Sequence, residues 1–241
     1  MASVAEHLVH QLEGAGVRHI YGIVGDSLNP VVDAVRRSKK IRWIHVRHEE
    51  TAAFAAAAEA EITGQLAVCA GSCGPGNLHL INGLYDANRS HLPVLAIASH
   101  IPTSQIGTGF FQETHPDRIF DECSVFSEMI SSSEQVPRVT RSAIQQALSN
   151  HGVAVLTLPG DIADMEVSGN LPDTITSPRP ARVVPNMEDV QGLADAINRA
   201  GKVTLFVGCL YGGLRSADSC GYGLPLPAVP PRECADSTNR Y

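Results

Sequence analysis

Apolar positions recur along the first two thirds of the chain in two alternating rhythms. In residues 4–13, Val4, Leu8 and Leu12 stand four apart, the spacing of one helical face, and Gly14 and Gly16 then supply a stop. The run HIYGIV (19–24) is short and apolar. It ends at Gly25-Asp26-Ser27, where Asp26 or Ser27 can cap a helix through residues 28–37, with Pro30 tolerated in the first turn. The order then repeats. RWIHV (42–46), QLAVCAG (65–71), LPVLAIAS (92–99) and GVAVLTLPGD (152–161) have the length and composition of strands. Residues 49–62, 76–89 and 137–150 read as helices, with a weaker one over 115–121. Near-continuous apolar strands separated by helices predict an α/β fold, a mostly parallel sheet with helices on both faces.

The rhythm stops near Val167. Residues 168–186 hold four prolines and no apolar period, which suits an extended linker over 167–186. Residues 187–200 then resemble a helix and KVTLFVG (202–208) a strand, the start of a second α/β domain. Residues 209–241 are crowded with Gly, Pro and Cys and show neither period. The expected organisation is a domain over 1–166, the linker, the beginning of a central domain over 187–208, and an aberrant or disordered tail. That tail reads either as a flexible terminus or as the product of a broken reading frame.

Charge and composition narrow the function. A formal net charge of −7 argues against a general polyanion-binding surface, so nucleic acid is not an expected partner. No run of about 18 apolar residues and no basic-then-apolar leader is evident, which predicts a cytoplasmic protein without support for membrane contact. The six cysteines form no C-x-x-C pair, and Cys69 and Cys73 read as small buried residues. The histidines show no metal-ligand spacing, so no metal site is expected.

The unusual residues fall in three loops after predicted strands, where open parallel sheets place ligands. These are Gly25-Asp26-Ser27, Arg47-His48-Glu49-Glu50 and Gly71-Ser72-Cys73-Gly74-Pro75-Gly76-Asn77. The third loop has the glycines of a phosphate cradle. It lacks the Gly-Lys-Ser/Thr that would follow, and its spacing is not G-x-G-x-x-G. Such a backbone can instead let a flat ring approach closely and read its edge with peptide groups.

GDSLN (25–29), RHEETAAFAA (47–56), CAGSCGPGNLHLINGLYDA (69–87), LPVLAIA (92–98) and GTGFFQETHP (107–116) fall in the order and spacing found in thiamine-diphosphate enzymes. Residues 3–165 resemble the N-terminal, pyrimidine-binding part of pyruvate oxidases and quinone-dependent pyruvate dehydrogenases. The HE and SGPG pieces are shared with acetolactate synthases and benzoylformate decarboxylases; the NLHLINGLYDA and FQETHP contexts narrow the resemblance toward pyruvate oxidation.

The resemblance implies a reaction in which pyruvate is oxidatively decarboxylated and electrons pass to flavin and then to quinone or oxygen. It nominates Glu50 as the catalytic carboxyl group that hydrogen-bonds the aminopyrimidine ring nitrogen. Burial would raise the pKa of such a group, while the N-terminus of its helix would lower it. By physics alone, Glu49 and Glu50 read first as ordinary first-turn acids favoured by the helix dipole; the resemblance reverses this for Glu50 and leaves Glu49 as a structural or solvated residue. The resemblance further nominates Gly25, Pro75, Gly76 and Asn77 for the cofactor pyrimidine, and His79, Phe111 and Gln112 for the substrate end. Magnesium with the diphosphate, and FAD, belong in the family to domains absent or incomplete here. The full site lies between subunits, so the chain alone is expected to be inactive and to need self-association or a complementary chain. The alternatives are a non-catalytic or vestigial pyrimidine-domain module, or a fragment of another 2-oxo-acid decarboxylase or an acetolactate-synthase-like enzyme.

Overall fold

A computed structural model of the chain describes residues 2–167 and 184–204. Six strands form one sheet in which every pairing is parallel: His19–Gly22 (β1), Arg42–His45 (β2), Ala67–Gly71 (β3), Val94–His100 (β4), Phe126–Met129 (β5) and Val153–Pro159 (β6). The spatial order is β2-β1-β3-β4-β6-β5. The helices are Val4–Gly14 (α1), Asn29–Ser38 (α2), Glu49–Thr63 (α3), Pro75–Arg89 (α4), Pro116–Ile119 (α5), Val136–Asn150 (α6), Gly160–Asp164 (α7) and Met187–Arg199 (α8).

Both faces of the sheet are covered. Ile20, Val68, Ala70, Leu95, Ile97, Ala154 and Leu156 pack with α1, α2, α6 and α7 on one side. Their neighbours along the strands, Ala67, Cys69, Val94, Ala96, Val153 and Val155, pack with α3, α4 and Phe120 on the other. This alternation is the period-two pleat of a strand buried on both faces, and it explains why these strands read as unbroken apolar runs. Strand β5 was absent from the sequence reading. It pairs only with β6 at the sheet edge, and its four residues FSEM are half-buried or exposed, so they carry too little apolar pattern to be recognised.

Helix α1 starts at a complete capping box: Ser3 Oγ accepts the Glu6 N–H, and the Glu6 carboxylate accepts the Ser3 N–H. Backbone bonds from Val4 N to Met165 O and from Val167 N to Ala2 O join this start to the end of the sheet domain. On the same helix His7 is buried, and burial, with His10 nearby, pushes its imidazole below the ordinary 6.5. Below that value the unfolded chain binds a proton that the folded chain refuses, so stability falls as pH drops through the unfolded pKa toward the folded one. Urea unfolding should show a larger loss of stability between about pH 7.5 and about pH 5.5 in the wild type than in His7→Leu. An equal loss in both would remove His7 from the account.

Helix α8 lies where the sequence places a helix, capped by Asn186 Oδ1 accepting the Glu188 N–H at 3.1 Å, and none of its residues is buried. Lys202 to Thr204 are not in a strand. The rest of the expected strand, residues 168–183 of the linker, and the tail lie outside the described residues. Among the described residues no helix is long and apolar enough to cross a membrane.

Candidate functional site

The chain winds from β1 outward to β2, then crosses back to β3 on the other side of β1. The carboxyl ends of β1 and β3 therefore flank a topological switch point, where parallel sheets open a crevice. Two loops meet there. A Cβ on Gly25 would stand 2.7 Å from Ser72 Cβ, so only glycine lets the loop after β1 touch the loop after β3. Hydroxyl groups fasten the contact. Ser99 Oγ–H donates to Gly71 O at 3.1 Å, leaving Ser27 Oγ–H to donate to Ser99 Oγ at 2.6 Å. Ser27 Oγ in turn accepts the Cys73 N–H at 3.1 Å and the Ser72 hydroxyl at 3.0 Å. The arrangement uses the full bonding capacity of Ser27 and ties three strand ends together.

Gly74, at φ +70°, reverses the chain into α4, and Pro75 occupies the first turn, where its missing N–H costs no bond. No side chain caps this helix start. Pro75 is exposed and Gly76 is buried. Asn77 is fully buried; its Nδ2–H donates to Ser99 O at 2.8 Å, while its Oδ1 has no protein partner. Asn77 thus ties α4 to β4, and no face of it is open to a ligand, in contrast to the direct contact the resemblance implied.

The two adjacent acids of α3 separate sharply. Glu49 is 8% exposed, and its Oε1 lies 3.3 Å from where a Cβ of Gly76 would stand. Its Oε2 is 3.0 Å from His79 Nδ1 on α4. The His79 ring stacks on His48, with centroids 4.3 Å apart. Glu50 points elsewhere: its Oε1 accepts Asn82 Nδ2–H at 2.7 Å on the outer surface, and its side chain is 37% exposed. The structure thus places Glu49, rather than the nominated Glu50, beside Gly76 in the crevice. Successive helical residues diverge by about 100°, and it is Glu49 that shares a face with buried Ala52, Ala53, Ala56 and Ala60. His79, nominated for the substrate end with Phe111 and Gln112, meets Glu49 instead of those two residues.

Phe111 and Gln112 sit in the loop between β4 and α5. Gln112 adopts φ +64°, packs its Cβ against Gly74, and accepts the Cys73 thiol at 3.4 Å. Phe111 is 79% exposed. Both line a cavity of about 1040 Å³ together with Asp26, Ser27, Cys73 and His100. His100 is buried, its Nδ1 has no partner, and burial lowers its pKa against the opposing pull of Glu113.

Residues 2–119 match the family model described as thiamine pyrophosphate enzyme, N-terminal TPP binding domain. Residues 2–119, just under half of the chain, thus resemble the cofactor-binding N-terminal domain of thiamine pyrophosphate enzymes. Over 206 residues it is 56% identical to an uncharacterized 42.6 kDa protein of Pseudomonas amyloderamosa, a match covering 85% of this chain and 52% of the relative. It is 41% identical to a pyruvate oxidase of Lactiplantibacillus plantarum over 156 residues, 64% of this chain and 26% of the relative. An acetolactate synthase of Mycobacterium bovis matches at 34% over 207 residues, 85% of this chain and 33% of the relative. The chain thus spans about half of one relative and a third or less of the other two.

The residues at the switch point fit the aminopyrimidine of thiamine diphosphate. Gly25 and Gly76 let Ser72 and the Glu49 carboxyl group approach the backbone closely, the start of α4 is uncapped, and that carboxyl group is buried beside Gly76. Sequence reasoning set Glu49 and His48 aside as structural or packing residues and missed the Ser27–Ser99 bond.

Proposed function

We propose that this domain binds the pyrimidine end of thiamine diphosphate in the crevice between β1 and β3, with Glu49 as the carboxyl group at the ring nitrogen, as part of an enzyme acting on pyruvate. The observation that carries the reading is the buried Glu49 carboxyl group beside Gly76 at the switch point. Gly25, Gly76 and the backbone around Pro75 form the walls, and Asn77 holds the start of α4 in place.

Bound there, thiamine diphosphate supplies the carbanion chemistry by which a 2-oxo acid loses carbon dioxide. The protein's share is proton control and shape. A carboxyl group screened from water can share a proton with a ring nitrogen as a general acid/base. His79 Nδ1 supports either protonation state of Glu49: Nδ1–H donates to the carboxylate, and a bare Nδ1 accepts from the carboxylic acid. Phe111 and Gln112 line the neighbouring cavity, which shares Ser27 and Cys73 with the loops of the crevice, and supply an aromatic wall and an amide for a small 2-oxo acid.

Oxidation of pyruvate, rather than acetolactate synthesis, is favoured by the higher identity to the pyruvate oxidase, 41% against 34%. The longer match to the acetolactate synthase, 207 residues against 156, supports that enzyme as the second reading. In either case the reading assigns the diphosphate with its magnesium, and FAD, to other segments or another chain, with self-association or a complementary chain completing the site.

A cheap test follows from assigning only the pyrimidine end to this domain. In calorimetric titrations of the 241-residue chain, thiamine and thiamine diphosphate should bind within about tenfold of each other, with little effect of magnesium. Binding that requires the diphosphate and magnesium would overturn the assignment.

A further inference from the structure

The segment joining β4 to α5 contributes Phe110, Phe111 and Gln112 to the lining of the cavity, yet little side-chain packing holds it there. Phe110 is 45% and Phe111 79% exposed, so neither ring is anchored by burial. The placement comes from the backbone, and one side chain organises that backbone. The Glu113 carboxylate accepts the N–H groups of Gly107, Gly109 and Phe110, the last two at 2.7 and 3.1 Å. The Glu113 N–H donates to Phe110 O at 2.9 Å, closing the turn from the other side. Three amides converging on one anion form charge-assisted bonds, stronger than neutral ones.

The loop is tied at two further points. At its base, Asp161 of α7 accepts the Thr103 N–H at 3.1 Å and the Thr103 hydroxyl at 2.5 Å. At its far end, Gln112 rests on Gly74 and Cys73. Between these ties Gln112 is held at a positive φ, a conformation that costs a non-glycine residue on the order of 1 kcal/mol or more and persists only where the surroundings over-determine it.

We propose that Glu113 is a positioning residue for the substrate end of the site: its carboxylate gathers the amides of residues 107–110 and so sets where Phe111 and Gln112 stand above Cys73 and Gly74. The inference rests on the reading that Phe111 and Gln112 face a 2-oxo acid. Glu113 itself acts only through the loop. The three bonds also hold its carboxyl below the ordinary glutamate range, the Gly107 amide contributing most, so the anion is kept across the neutral range.

The test uses the full chain, isotope-labelled for nuclear magnetic resonance, as wild type, Glu113→Gln and Glu113→Ala. In the wild type the amide resonances of Gly107, Gly109 and Phe110 should titrate together with a single midpoint below the usual glutamate range. In Glu113→Gln that common titration should vanish. Amide exchange at Gly109 and Phe110 should rise about tenfold or more in Glu113→Ala, and less in Glu113→Gln, which keeps one acceptor oxygen. Thiamine affinity should not change in either variant. With thiamine diphosphate, magnesium and pyruvate added, the Gln112 side-chain amide should respond in the wild type and lose the response in Glu113→Ala.

Amides that ignore the titration, or exchange that is unchanged in Glu113→Ala, would overturn the proposal. So would a loosened loop whose Gln112 still responds fully to pyruvate. A wild-type Gln112 that ignores pyruvate overturns the substrate-end reading instead, and the amide titration distinguishes that failure from the first.

Discussion

Glu49→Gln is expected to weaken thiamine binding by this chain about 10- to 100-fold, whereas Glu50→Gln should change it by less than about threefold. In any assembly where the chain supports turnover of a 2-oxo acid, Glu49→Gln should also cost about 10²- to 10⁴-fold in rate, the usual contribution of a positioned acid/base. The contrast follows from one turn of α3. Glu49 is buried beside Gly76 and bonded to His79, while Glu50 spends its carboxylate on Asn82 at the surface. Gln at position 49 keeps the volume and the ability to accept from His79, so a folding defect is not expected. Equal effects of the two substitutions, or a larger one at Glu50, would return the role to the position first nominated.

Gly83→Ala should destabilise the domain by roughly 1–3 kcal/mol, although an alanine in a helix is normally about 1 kcal/mol better than glycine. A Cβ at Gly83 would stand 2.5 Å from Ala53 Cβ and 2.8 Å from the Phe54 backbone nitrogen, so α3 and α4 must separate to admit it. Gly83 and Ala53 lie about one helical turn in from His79 and Glu49 respectively. Separation at that point therefore loosens the bond between those two side chains. The urea midpoint should fall, and thiamine affinity should fall with it. An unchanged or raised midpoint would show that the helices are not packed this closely.

The fold was legible because its central strands are buried on both faces. Runs such as LAVCA and VLAIAS need no partner to be recognised, and Gly25 and Gly74 mark where strands give way to ligand loops. Strand β5 was not legible, since an edge strand of four half-exposed residues carries almost no period. The inward position of Glu49 was not legible for a related reason. Helix α3 has alanine at seven of its fifteen positions, on both its buried and exposed sides, so the two faces differ little in polarity, and only its packing on α4 reveals which acid turns inward. The bonds made by Glu113 and Ser27 were not legible because they go to backbone amides contributed by residues distant in sequence or folded back on themselves.

The stacked pair His48 and His79 shows how much of the site is held by the two helix starts alone. His48 Nδ1 accepts the Glu50 N–H at 3.3 Å, an imidazole serving as the cap of α3, and its ring lies against the one bonded to Glu49. Both helices begin at the carboxyl side of the sheet, so the acid, its partner and the uncapped start of α4 are delivered to one crevice by the same topology.

The most direct test of the central claim is the nitrogen resonance of thiamine diphosphate labelled with ¹⁵N in the ring nitrogen of its pyrimidine, bound to wild type, Glu49→Gln and Glu50→Gln. The account predicts a resonance shifted toward the protonated form in the wild type and Glu50→Gln, and no such shift in Glu49→Gln. A shifted resonance in Glu49→Gln, or its loss in Glu50→Gln, would contradict it.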